Sequence, residues 1–228
     1  ADALLASLMP AWVADRLKRE QSIIADGHAD ICVMFADIVD FTRLSGRLEP
    51  RQVIGFLNHV FTRLDHLCAR HGLEKIKTVG DAYMVVGGLG FSGHDYVAAM
   101  ADMALDIHEM CRNDPVMVER ALAFHVGIAT GPAVAGVIGA TRLSYDVWGD
   151  TVNLAARVTE DSAPATILVD RATYVRLSDR YLFEEPREVV YKGTGRNLVF
   201  RLVGRRVLVE PGREAVDGIK AEADDRIL

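Results

Sequence analysis

Apolar residues recur along the chain with two periods, one typical of helices and one of buried strands. After Pro50, apolar positions spaced i, i+3, i+4, i+7 predict an amphipathic helix that Gly72 ends, and a second helical pattern covers 97–110. Short apolar runs predict strands at 30–36, 73–79, 82–87, 121–129 and 133–138. The order strand, helix, strand, strand, helix, strand is the split βαβ arrangement, with both helices on one face of the sheet.

A smaller C-terminal α/β subdomain is predicted after this core. Its elements are a turn region at 144–150, a helix from Thr151 to Glu160, a strand near 166–169, a short helix from Arg171, and a hairpin through 181–191 and 198–203. The predicted fold class is therefore α+β: a ferredoxin-like split βαβ core with a mainly antiparallel sheet, plus this subdomain.

Length and charge narrow the class of protein. The 228 residues suit one domain, which we place at 28–204 after a linker helix at 1–27. Residues 205–228 mix acids and bases with Pro and Gly, which predicts a polar, mobile tail. The net charge of −6 without a long basic block argues against nucleic acid as a partner. Cys32, Cys68 and Cys111 are odd in number and have no C-x-x-C spacing, which predicts reduced thiols and a cytoplasmic location, either as a free domain or as the cytoplasmic domain of a membrane-anchored parent. No apolar run approaches the ~20 residues that span a bilayer.

Two aspartates stand where apolar runs meet turns. Asp37 closes the run ICVMFAD, and Asp81 stands just before AYMVV. A carboxylate at the edge of a core is costly to desolvate unless a cation or several donors lie nearby. Hard oxygen ligands favour Mg²⁺ or Mn²⁺, which commonly bind together with substrate phosphates. The pair therefore indicates a metal site for a polyphosphate, whereas either aspartate alone is equally typical of an ordinary turn.

The segment YDVWGDTVNLAAR, residues 145–157, carries a second polar pair. Asn153 and Arg157 are four residues apart on the predicted helix and so share one face. A guanidinium is suited to phosphate, because it keeps its charge and presents a planar fork of donors. The alternative is a polar surface pair on an amphipathic helix.

Four motifs together resemble a known family. FADIVDFT, LEKIKTVGDAYMVV, YDVWGDTVNLAAR and YKGTG, in this order and spacing, are similar to the catalytic domain of class III nucleotidyl cyclases. The resemblance covers about residues 28 to 203, and the Leu-rich opening with Met9-Pro10 is similar to the linker that precedes such domains.

The resemblance implies a metal-binding half of an active site. Asp37 and Asp81, with the backbone carbonyl of Ile38, would bind two Mg²⁺ or Mn²⁺ ions. The turn through Phe41 and Thr42 would offer backbone N–H groups to the triphosphate. The implied reaction is intramolecular attack of the ribose 3′-hydroxyl on the α-phosphate, which gives a 3′,5′-cyclic nucleotide and pyrophosphate.

It also implies a nucleotide-binding half. Asn153 would orient the ribose, Arg157 would stabilise the transition state, and Lys192 would bind the terminal phosphates. Lys77 and Asp146 match the pair that selects the base. An ammonium only donates and a carboxylate only accepts, which fits the N1 acceptor and amino donor of adenine and leaves both groups unpaired with guanine. The expected substrate is therefore ATP, and the expected enzyme an adenylate cyclase.

Sites of this family are built across two chains, so the resemblance implies a head-to-tail, two-fold homodimer with an upstream sensory or membrane region as a further partner.

Two departures from the family pattern concern phosphate contacts: His125 stands where many members have Arg, and Thr194 replaces the second lysine of K-G-K-G turns. The alternatives are a non-catalytic nucleotide-binding regulatory domain, a guanylate cyclase, and a nucleotide polymerase or diguanylate cyclase, whose GG-[DE]-[DE]-F turn this sequence does not contain.

Overall fold

A nine-stranded sheet runs through the residues that the computed structural model describes, which are 7–19, 23–90, 93–139 and 142–207. The helices are α1 Ala11–Arg19, α2 Phe41–Ser45, α3 Pro50–Arg70, α4 Tyr96–Asn113, α5 Pro115–Glu119, α6 Asp150–Asp161 and α7 Arg171–Leu177. The strands are β1 Ala25–Ile38, β2 Glu74–Val79, β3 Ala82–Gly87, β4 Phe124–Ile138, β5 Ser144–Trp148, β6 Thr166–Asp170, β7 Tyr181–Phe183, β8 Arg187–Tyr191 and β9 Gly195–Arg205.

The strand order is β2-β3-β1-β4-β6-β9-β7, with β5 on β4 and β8 on β9. Every pair is antiparallel except β4 with β6. This confirms the predicted α+β class with a split βαβ core and a mainly antiparallel sheet. The C-terminal α/β part continues the same sheet, because β6 pairs directly with β4.

Helices cover both faces of the sheet, which explains why β1 is an uninterrupted apolar run. Met34 and Ala36 face α3 and α4, where Val60 and Met100 are fully buried. Residues of opposite parity, such as Val33, face the layer that contains α1 and α6. Successive side chains of a strand point to opposite faces, so a central strand covered on both sides has no polar alternation.

Two predicted boundaries in the middle of the chain are wrong. The runs predicted as separate strands at 121–129 and 133–138 form one strand, β4. Pro132 has no N–H to donate, and β1 accommodates it with a register shift between His28 and Ile31, directly opposite. The predicted turn region at 144–150 contains strand β5, whose pairing with β4 reaches from Ser144 to Trp148.

The N-terminal helix α1 packs against the sheet. Val13 and Ala14 are buried, and the ring of Trp12 meets Tyr145 edge-on with centroids 5.9 Å apart. Arg16 adds an ion pair to Asp26, with a distance of 2.5 Å from Nη1 to Oδ2. Residues 1–6 and 20–22 of the predicted linker helix and 208–228 of the predicted tail lie outside the described residues. Within the described part of the chain, no helix is long and apolar enough to cross a membrane.

Candidate active site

Asp37 and Asp81 meet where three strands end. Asp37 lies on β1 opposite Ala82 of β3 and His125 of β4. Asp81 belongs to the two-residue turn between β2 and β3, where Gly80 adopts a φ of 62° that favours glycine. The turn therefore brings the second carboxylate to the first.

The environment of Asp37 fits a cation. Burial, a hydrogen bond that protonated Asp37 donates to the Asp81 carboxylate and the charge of Asp81 together raise the pKa of Asp37 to about 6, while His125 and the N–H of Ile38 act in the opposite direction. Oδ1 of Asp37 is buried without a hydrogen-bond partner among the described residues. Two carboxylates held together with an unsatisfied buried oxygen are the donor set that Mg²⁺ or Mn²⁺ accepts.

The described residues contain no cluster of three or more His, Cys, Asp or Glu side chains suited to a metal. A divalent ion here would therefore take further oxygen ligands from the backbone, water or substrate, as Mg²⁺ commonly does. Ile38 is the last residue of β1, next to Asp37. Its carbonyl stays a predicted ligand.

Lys77 and Asp146 form an ion pair with 2.5 Å between Nζ and Oδ2. Val147 donates its backbone N–H to the other carboxylate oxygen, Oδ1, at 2.8 Å, which fixes the orientation of the carboxylate. The side chains are 43% and 14% exposed for Lys77 and Asp146, respectively. A donor and an acceptor thus stand side by side with access to solvent.

A bulge decides which lysine of β2 joins this pair. The register of β2 against β3 shifts between Lys75 and Lys77. Lys75 pairs instead with Asp65 of α3 at 2.8 Å and lies over the ring of Tyr83. Residues two apart on a regular strand share a face, so without the bulge both lysines would point the same way.

Helix α6 carries Asn153 and Arg157 on its exposed side, as the predicted shared face requires. Two glycines of β4 let this helix approach closely: a Cβ on Gly127 would lie 2.3 Å from the backbone N of Thr159, and one on Gly131 would lie 2.7 Å from Thr151 Oγ1. The glycines therefore fix how far the two polar side chains stand from the sheet.

Arg157 is held by a neighbour that the sequence patterns did not single out. Its Nη1 lies 2.8 Å from Oε2 of Glu160, one helical turn further on. The i,i+3 spacing is visible in the sequence and could have indicated the pair. Both side chains are exposed, so a phosphate can compete for the guanidinium at small energetic cost.

Lys192 lies in the exposed turn between β8 and β9. Gly193 and Gly195 have positive φ angles of 90° and 71°, and the N–H of Thr194 donates to the carbonyl of Tyr191 at 3.3 Å. The Thr194 hydroxyl accepts a hydrogen bond from Asn197 Nδ2 at 3.2 Å. Thr194 therefore supports the turn through a hydrogen bond and adds no charge to it.

Phe41 and Thr42 begin the short helix α2 after Asp40, whose φ of 53° is left-handed. The N–H of Leu44 bonds to the carbonyl of Asp40, so the N–H groups of Phe41 and Thr42 precede the first intrahelical bond.

His125 turns its Nδ1 to the carbonyl of Ser162 at 2.7 Å while its backbone stays opposite Asp37.

Four of the predicted site residues form two contacting pairs within one chain. Asp37 contacts Asp81, and Lys77 contacts Asp146. In residues 7–19, 23–90, 93–139 and 142–207, no hydrogen bond or ion pair is found between these two pairs. None is found from either pair to the side chains of Asn153, Arg157 and Lys192.

The chain matches the family "Adenylate and Guanylate cyclase catalytic domain" over residues 23–204. It is 41% identical over 219 residues to an adenylate cyclase of Mycobacterium tuberculosis, covering 93% of this chain and 48% of that protein. The chain thus spans about half the length of this relative.

Solved structures agree in fold. The guanylate cyclase domain of RhGC from Catenaria anguillulae in complex with GTP superposes with a TM-score of 0.75 at 28% identity, covering 79% of this chain and all (100%) of that one. The adenylyl cyclase CyaB from P. aeruginosa superposes with a TM-score of 0.73 at 27% identity, covering 80% of this chain and 97% of that one. By its motifs, its fold and these matches, the chain belongs to the class III adenylate and guanylate cyclase catalytic domains.

Proposed function

We propose that this chain is an adenylate cyclase domain that converts ATP into 3′,5′-cyclic AMP and pyrophosphate. The observation that carries the substrate choice is the preformed pair of Lys77 and Asp146. The ammonium donates to adenine N1 and the carboxylate accepts from the 6-amino group. Guanine presents N1–H and O6 instead, which would set donor against donor and acceptor against acceptor.

The reaction forms a bond between the ribose O3′ and the α-phosphorus and breaks the bond from that phosphorus to pyrophosphate, with loss of the 3′-hydroxyl proton. Two Mg²⁺ or Mn²⁺ ions held by Asp37 and Asp81 would polarise the α-phosphate and lower the pKa of the 3′-hydroxyl. Arg157 stabilises the charge that develops on the phosphate oxygens, and Asn153 orients the ribose.

The leaving pyrophosphate needs its own donors. Lys192 supplies an ammonium from the exposed β8–β9 turn, in which Gly193 and Gly195 have positive φ angles. The backbone N–H groups of Phe41 and Thr42 add neutral donors on the side of the metal-binding aspartates. These groups bind pyrophosphate in the ground state as well as in the transition state, so we assign them to binding and release.

A head-to-tail homodimer would complete the site. The resemblance to class III cyclases implies a site that is built across two chains. The β4–β5 hairpin and the end of β2 expose large apolar side chains, namely Val79, Val134, Ile138, Leu143 and Trp148. Exposed large apolar side chains are typical of an interface, and a two-fold axis would create two equivalent sites.

The direct test supplies ATP or GTP with Mn²⁺ or Mg²⁺ and measures cyclic nucleotide against chain concentration. We expect cyclic AMP in excess of cyclic GMP, with specific activity rising as the chains associate. Cyclic GMP as the main product would favour a guanylate cyclase. Binding of ATP without turnover under all conditions would favour a non-catalytic nucleotide-binding domain.

Complementation tests the composite site. Asp37→Ala and Arg157→Ala chains should each be inactive, and mixing them should restore partial activity, since a mixed dimer keeps one intact site. The control mixes two preparations of Asp37→Ala, which leave no intact site. If mixed dimers form without recovery, each site lies within a single chain.

Base selection has a matched control on the same strand. Lys77→Glu combined with Asp146→Cys should lower kcat/KM for ATP by about 100-fold, because two groups that pair with adenine are lost. Lys75→Glu, on the same strand but paired with Asp65, should leave the ratio of ATP to GTP turnover unchanged. An unchanged ratio in the double variant would remove the assigned role of the pair.

A further inference from the structure

The C-terminal end of α6 is linked to the β8–β9 hairpin through Asp161. Its Oδ2 accepts a hydrogen bond from the hydroxyl of Tyr191 at 2.8 Å and one from Nη2 of Arg187 at 2.7 Å. Both donors belong to β8, four residues apart and therefore on one side of that strand. A single carboxylate oxygen thus binds both ends of the strand to the helix.

The position of Asp161 is unfavourable for the helix itself. It is the last residue of α6, follows Glu160, and has no basic residue in that turn. An acidic side chain at a helix C-terminus interacts unfavourably with the helix dipole. The two donors from β8 compensate for this placement, so the carboxylate serves the contact between helix and hairpin rather than the helix.

Apolar packing supports the same contact. Val158 of α6 is fully buried in a small cluster with Leu168 and Val199, against which Val189 and Tyr191 pack. Burial and the hydrogen bond to Asp161 both raise the pKa of the Tyr191 hydroxyl, which therefore remains a donor throughout the neutral range. The helix and the hairpin are consequently joined by the apolar cluster around Val158 and, at its edge, by the hydrogen bonds to Asp161.

The chain positions on either side of this contact are those of the proposed phosphate ligands. Tyr191 immediately precedes Lys192, and Asp161 follows Arg157 by one helical turn. We propose that Asp161, with Tyr191 and Arg187, is a positioning group that holds the Lys192 turn to the helix of Arg157. Arg157 at the α-phosphate and Lys192 at the leaving pyrophosphate would then belong to one rigid unit. This inference rests on the proposed function for the roles of Lys192 and Arg157.

The position of Lys192 depends on this contact, because the turn itself has few other restraints. Its two glycines at positive φ have nothing within 4 Å of an added Cβ, so no neighbouring group confines the turn there. Among the residues that the structure describes, Thr194 bonds only to Tyr191 and Asn197, which belong to the same hairpin. Loss of the Tyr191 hydroxyl should therefore widen the range of positions that Lys192 samples.

Tyr191→Phe tests the proposal, with Tyr181→Phe as the matched control. Tyr181 makes the same kind of bond, from its hydroxyl to Oδ1 of Asp102 at 2.9 Å, but joins β7 to α4. For Tyr191→Phe we expect KM for ATP and the inhibition constant of pyrophosphate to rise about tenfold, the low end for a hydrogen bond to a charged group, with kcat changed less than about threefold. Tyr181→Phe should leave both constants within about twofold.

A double-mutant cycle separates positioning from general stability. In a Lys192→Ala background, Tyr191→Phe should have little further effect on the pyrophosphate constant, since the group that it positions is gone. Asp161→Asn, which keeps an acceptor oxygen, should be milder than Asp161→Ala. Equal behaviour of Tyr191→Phe and Tyr181→Phe, or a full additional loss in the Lys192→Ala background, would overturn the proposal.

Amide hydrogen exchange tests the positioning of the Lys192 turn without a measurement of turnover. Tyr191→Phe should raise amide exchange in the 192–195 turn about tenfold, while Tyr181→Phe should not. A wild-type chain that makes no cyclic AMP would refute the proposed function, whereas unchanged exchange in Tyr191→Phe would refute the positioning role. The two failures are therefore distinguishable.

Discussion

Replacing Asp37 with asparagine should stabilise the metal-free protein at neutral pH while abolishing catalysis. The folded chain raises the pKa of Asp37 from 3.8 to about 6, chiefly by burial and by the Asp81 side chain. At 1.36 kcal/mol per pKa unit, this difference corresponds to roughly 3 kcal/mol for a fully buried group. Asp37 is only half-buried, so solvent screening reduces the expected gain for Asp37→Asn to about 1–2 kcal/mol.

The pH dependence of the free energy of unfolding determines the direction of the effect of Asp37→Asn. Between pH 3.8 and about 6 the folded chain keeps the Asp37 proton that the unfolded chain has lost. The free energy of unfolding therefore falls as pH rises through this window, and the penalty is complete above it. Asp37→Asn removes the penalty, so its advantage over wild type should be absent below the window and complete above it.

Urea unfolding in a chelating buffer, at fixed chain concentration, measures this at about pH 4.5 and about pH 7.5. Asp40→Asn is the matched control, since Asp40 is exposed and asparagine tolerates its left-handed backbone. Added Mn²⁺ should stabilise wild type and leave Asp37→Asn unchanged. The reasoning is refuted if Asp37→Asn shows no gain at the higher pH, or the same gain at both.

Two further substitutions test the supports of the site. Gly127→Ala should destabilise the protein by about 3 kcal/mol and lower cyclase activity, because its Cβ would lie 2.3 Å from the backbone N of Thr159. In the same urea unfolding assay, Gly55→Ala should be neutral or slightly stabilising, since nothing lies within 4 Å of its added Cβ. Thr194→Lys should lower the inhibition constant of pyrophosphate about threefold at low salt and by less at high salt, despite losing the bond from Asn197. A change of the same size at both salt concentrations would contradict an electrostatic role.

Periodicity predicted most elements of the fold because their signals are local. The helix from Pro50 has an apolar stripe, a proline at its start and Gly72 just beyond its end, and the structure confirms it as α3. The single strand β4 was missed because Pro132 normally interrupts a strand. Its tolerance depends on a register shift in β1, which lies about a hundred residues earlier in the chain and leaves no signal next to the proline.

In the candidate site, too, local signals in the sequence were readable, whereas partners from distant parts of the chain were not. The pair of aspartates was indicated by their positions at the ends of apolar runs, and the hairpin turn brings them together as expected. The partner of Arg157 was missed although Glu160 stands only three residues away. The two donors to Asp161 come from β8, at positions 187 and 191, and no pattern within α6 points to them.

Lys77 was assigned to the base-selecting pair by family resemblance, because the pattern of the strand cannot distinguish it from Lys75. Lys75 and Lys77 have the same side chain and the same strand parity, so alternation assigns both to one face. The bulge between them separates their directions: one turns to Asp65 of α3, and the other to Asp146, 69 residues further along the chain. Spacing alone could not choose between them, and the register of the sheet supplies the physical reason why the family motif falls on Lys77.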